Sequence, residues 1–139
     1  VPDTTTDDEL VPRRRPAALL VLVAVVGLEF LAMAAVTVFL LVELLTSPAA
    51  GIASGIALLV LAVLATVWLG AMVAGLRRGR AWVRSGVVVW QVLQGALAIG
   101  AFQGESRVAS VGWALLIPAL LGITLVLSRP VTAALVRRD

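Results

Sequence analysis

Glu29 is the side chain of this sequence best placed to do chemistry. It stands between Gly27-Leu28 and Phe30-Leu31, in the middle of a long apolar run. A charged carboxylate at the centre of a bilayer costs about 2.5–3.5 kcal/mol on insertion scales, so an acid at that depth is a functional candidate by default. It could hold a proton or a cation, or bond a polar group on a neighbouring helix. Glu29, Val36 and Glu43 are spaced seven apart, and successive heptads drift by only about 20° on a helix. All three therefore lie on one stripe, with Glu43 near the outer interface.

Gln91 and Gln94 are the expected partners. They stand three apart and so neighbour each other on a helix surface. Counted from their basic starts at 1.5 Å per residue, Glu29 and Gln94 come out at about equal depth. A carboxylic acid in its neutral form can both donate to and accept from a glutamine amide. Glu29, Gln91 and Gln94 are thus expected to form an intramembrane polar cluster. A second group is basic: Arg77, Arg78, Arg80 and Arg84 surround a tight turn. They are expected to contact anionic lipid headgroups at about 1 kcal/mol per charge, and to fix topology.

Much other chemistry is excluded. The chain has no cysteine and no histidine. Disulfides, histidine-ligated haem, thiolate clusters and nearly every zinc or copper site are therefore absent. No catalytic residue, metal ion or cofactor is expected, and no nucleophile is paired with a base. Small residues at Gly51 and Gly55, at Gly70 and Ala74, and at Gly95, Gly100 and Gly104 would let helix backbones approach closely.

The elements that must position these residues are four apolar runs, at about 17–45, 52–76, 81–102 and 108–127. Hydrophobic residues make up 61% of the 139 residues and charged residues 14%. A soluble domain carries about a quarter charged residues, so the balance points to a membrane protein. The first run would be about 43 Å long as a helix, against a hydrocarbon core of about 30 Å, and must tilt or project. An uncleaved span is expected there, because a signal-peptide core is only about 7–15 residues long. Pro118 should bend the fourth helix.

Ten of the eleven arginines fall on one side of these runs, and only Arg107 lies on the other. Cytoplasmic flanks carry the excess of Lys and Arg. The expected architecture is therefore all-α: four transmembrane helices in an antiparallel up-down-up-down bundle, with both termini in the cytoplasm of a bacterial inner membrane. Residues 1–16 are expected to be a disordered cytoplasmic tail, 17–128 the transmembrane domain, and 129–139 a short tail able to form an amphipathic turn or two. The partners expected are the bilayer and other membrane subunits or a second copy. The arginines sit beside spans, so nucleic acid is not expected.

Leu76-Arg77-Arg78-Gly79-Arg80-Ala81-Trp82-Val83-Arg84, followed by Val89-Trp90-Gln91-Val92-Leu93-Gln94, resembles a stretch of small four-helix membrane proteins of actinobacteria. The resemblance covers about 20 residues, implies topology and lineage, and carries over no activity. In one feature, a membrane-embedded glutamate in the first of four helices, Glu29 is also similar to small multidrug resistance transporters. The ten-to-one arginine bias and the residues around Glu29 depart from that family. The leading expectation is a structural or accessory subunit of a membrane complex. The alternatives are a small proton-coupled transporter or channel centred on Glu29, and a lipid- or quinone-binding protein.

Overall fold

The computed structural model describes residues 15–46, 51–103 and 108–136. Four long helices account for most of them: α1 Ala17–Thr46, α2 Ile52–Arg78, α3 Val83–Gln103 and α4 Ala109–Leu127. Each is long and apolar enough to cross a membrane. A fifth, short helix, α5 Arg129–Val136, closes the described chain. Residues 1–14, Arg107, the tips of the first and third turns, and Arg137 and Arg138 lie outside the described residues.

The ends of the helices follow from local chemistry. Pro16 stands at the start of α1, where a missing N–H costs nothing, and its carbonyl accepts from Leu19 and Leu20. At the end of α2, Gly79 adopts φ +68°. Its N–H donates to the Leu76 carbonyl, and the Arg80 N–H donates to Gly75. That is a Schellman motif, and glycine supplies the left-handed residue it needs. Arg77 and Arg78 lie in the last turn of α2, where the helix dipole favours cations. Ser128 closes α4 and opens α5: its hydroxyl donates to Leu125, while its carbonyl accepts from the Thr132 N–H. α4 stays helical across Pro118.

α1 and α2 pack as one pair and α3 and α4 as another. On α1 and α2, Phe30 lies against Gly70, Thr37 against Thr66, and Leu44 against Gly55. One number rises as the other falls, so the two helices are antiparallel. The contacts of Gln91 with Gly122 and of Phe102 with Gly112 make α3 and α4 antiparallel in the same way. The pairs join chiefly through α1 and α4. α2 meets α3 beside the turn, where Val83 lies so close to Gly75 that a β-carbon there would overlap it.

The packed core sits at one end. Leu22 and Val26 of α1, Leu69, Met72 and Leu76 of α2, Val83 and Val87 of α3, and Val126 of α4 are all fully buried there. Val131 and Leu135 of α5 join the same cluster. They lie four apart on one face of a short amphipathic helix, which explains why this segment docks rather than trailing away. Arg15, Arg77, Arg78, Arg80, Arg84 and Arg129 all flank this end of the bundle.

Candidate functional site

On α3 the buried face runs through Val83, Val87, Gln91, Gln94 and Ala98. These positions follow i, i+4, i+8, i+11, i+15, one helical stripe. The stripe is apolar at its start and changes to amide where it leaves the packed core. Gln91 is 1% exposed and Gln94 5%. A buried amide is tolerated only where partners meet it.

Glu29 supplies the partner for Gln91. The Gln91 amide Nε2 donates to both carboxylate oxygens of Glu29, at 3.1 Å and 3.3 Å. Gln94 and the indole of Trp90 approach the same carboxylate. Glu29 itself is half-buried. It sits one turn beyond Val26 on α1, at the rim of the packed cluster.

α4 forms the third wall. A β-carbon on Gly122 would come within 2.9 Å of Gln91 Cγ and closer still to its amide. Glycine there lets the Gln91 side chain lie flat across α4 while reaching α1. Gln91 therefore bridges three helices. Three polar atoms of the cluster are buried without a hydrogen-bond partner: Gln91 Oε1, Gln94 Oε1 and Trp90 Nε1.

Counting depth from the helix starts would make Gln94 the direct partner, yet Gln91 holds that place. Gln91 stands three residues before the position the depth count favours, about 4.5 Å along the helix axis. Trp90 and Gly122 are the members that sequence spacing did not single out. Trp90 could have been found by its i, i+4 relation to Gln94. Gly122 carries no local signal, because its role depends on what crosses it.

Three threonines of the spans bond within or between helices. Thr37 and Thr66 face each other across α1 and α2 at 2.9 Å, and each hydroxyl also reaches a carbonyl one turn earlier, of Met33 and Ala62. Thr124 turns its hydroxyl onto Leu120 and Leu121 of its own helix. Glu43 is exposed near the end of α1. Arg77, Arg78 and Arg80 are exposed and Arg84 is half-buried. Among the described residues, no three His, Cys, Asp or Glu side chains come together.

No protein-family model, no curated protein and no solved structure matches this chain.

Proposed function

We propose that this chain is a multi-pass protein of a bacterial inner membrane that serves as a structural or accessory subunit of a larger membrane complex. In this reading the helices form an up-down-up-down bundle with both termini cytoplasmic. The arginine-rich flanks support that orientation. The resemblance of residues 76–94 to small actinobacterial membrane proteins supports the lineage.

The observation that carries the role is the direct Glu29–Gln91 contact. The acid at mid-span is engaged in joining α1 to α3. Interhelical bonds of this kind contribute about 0.6 kcal/mol on average and fix register. A transporter or channel needs polar groups converging from several helices. The Thr66 hydroxyl on α2 and the Thr124 hydroxyl on α4 are instead bonded to α1 or to their own helices. Arg77, Arg78, Arg80 and Arg84 would hold the basic end against anionic headgroups at about 1 kcal/mol each.

The test is purification of tagged full-length protein from its native membrane in a mild detergent, with mass spectrometry and mass photometry of the eluate. The reading expects a stoichiometric membrane partner that remains through size exclusion. A monodisperse particle holding only this chain would overturn it.

A further inference from the structure

Positive charge collects at one end of the bundle, and the negative charge near enough to meet it lies in one stretch of sequence. Arg15 precedes α1, Arg77, Arg80 and Arg84 bracket the turn from α2 to α3, and Arg129 opens α5. All are exposed except Arg84, which is half-buried. Among the described residues the acids are Glu29 and Glu43 alone, both on α1. At 1.5 Å per residue they stand about 20 Å and 40 Å along the helix from Pro16, too far to pair with these arginines. Asp3, Asp7, Asp8 and Glu9, by contrast, precede Pro16. They are tethered to the end of α1 that the arginines surround.

We propose that the acidic segment Asp3–Glu9 folds back onto Arg77, Arg80, Arg84 and Arg129 and competes there with anionic lipid headgroups. The charges are complementary, four acids against four arginines. A single exposed ion pair contributes little, but several charges converging as a network contribute more. The tether makes the encounter intramolecular, at an effective concentration on the order of millimolar.

Reach is sufficient. Nine residues separate Asp7 from Pro16, a span of up to about 30 Å when extended. Helices pack about 8–10 Å apart, so a four-helix end is roughly 20 Å across. The start of α1 also lies beside α5, and Leu19 and Leu22 share the packed cluster with Leu76, Val83, Val131 and Leu135. The arginines of α2, α3 and α5 therefore all fall within the tether. The docking needs no partner subunit and holds whichever side of the membrane this end faces. The competition alone rests on the headgroup contact proposed above.

The chain has no cysteine, so spin labels can be placed on the full-length protein at Thr5→Cys and at Ser85→Cys, the latter exposed near the start of α3. Pulsed dipolar distances are read in nanodiscs of phosphatidylcholine, which offer no anionic headgroup. Docking predicts a narrow component within about the bundle width, roughly 20 Å. That component should be lost at about 1 M sodium chloride, where the screening length falls to about 3 Å. It should also be lost when Asp3→Asn, Asp7→Asn, Asp8→Asn and Glu9→Gln are combined. A broad wild-type distribution, equal to that of the neutralised variant, would overturn the docking. So would a narrow component that keeps its full amplitude in Arg80→Gln with Arg84→Gln, by leaving the acids on Arg13, Arg14 and Arg15. Should that arginine variant fail to insert, the salt and tail measurements still decide. Native mass spectrometry from discs containing phosphatidylglycerol reads the competition: the neutralised tail should retain more of that lipid than wild type. Equal retention would overturn the competition. Retention by neither would overturn the headgroup contact and the competition with it, while the docking stands on the distances.

Discussion

Replacing Gly122 with alanine tests the three-helix junction most sharply. The added methyl would stand within 2.9 Å of Gln91 Cγ and closer to the amide. The Gln91 side chain cannot give way toward α1, because Glu29 holds its amide there. Either α4 moves out or Gln91 leaves its rotamer. Overpacking of this kind costs about 1–3 kcal/mol. Loss of the bond to Glu29 adds about 0.6 kcal/mol. Against this stands the helix preference for alanine over glycine, about 0.5–1 kcal/mol. The net expectation is a loss of about 1–3 kcal/mol, or roughly 5- to 150-fold in the folded-to-unfolded ratio. Gly95 and Gly100 on α3 supply the control, since a β-carbon at either meets nothing within 4 Å. Their alanine variants should be neutral or slightly stabilised. The assay is unfolding in mixed micelles with increasing sodium dodecyl sulfate, followed by circular dichroism. If Gly122→Ala matches Gly95→Ala, the packing of Gln91 across α4 is wrong.

Thr37→Val and Thr66→Val should each cost about 0.6 kcal/mol in the same assay. Two hydroxyl protons serve three contacts there, so the double variant should cost less than the sum of the two, and strict additivity would count against the shared bond. Leu135→Ala removes a fully buried side chain of α5, at a cost of about 2–5 kcal/mol if the site does not collapse. Because α5 is short and terminal, that cost should appear locally, as faster hydrogen exchange at Val131–Val136, with the amides of α2 near Leu69 unchanged. Slowed or unaltered exchange in α5 would mean that Leu135 does not anchor it.

The four spans were legible because apolar length is a property of the sequence itself. Arg77-Arg78-Gly79-Arg80 marked the second turn for a local reason too: glycine was needed just past the end of α2. The mid-span acid and its amide partners stood out against their apolar surroundings. Gln91 and Gln94 were both legible as partners of Glu29, but spacing did not choose between them. Equal counts from the helix starts favour Gln94, whereas the contact falls three residues earlier, on Gln91. Gly122 is one small residue among many until Gln91 is seen to cross it. The docking of α5 was hidden for a related reason. Eight residues give too little periodicity to separate a packed helix from a tail, and only the exposed apolar edge of α1 and α4 decides the matter.

Glu29 ties α1 to α3 through Gln91. A double-mutant cycle with Glu29→Leu and Gln91→Leu measures that tie directly, by unfolding in mixed micelles. The predicted coupling is about 0.6 kcal/mol and up to about 1.7 kcal/mol, the range of interhelical bonds in membranes. Additive single substitutions, with no coupling beyond error, would contradict it.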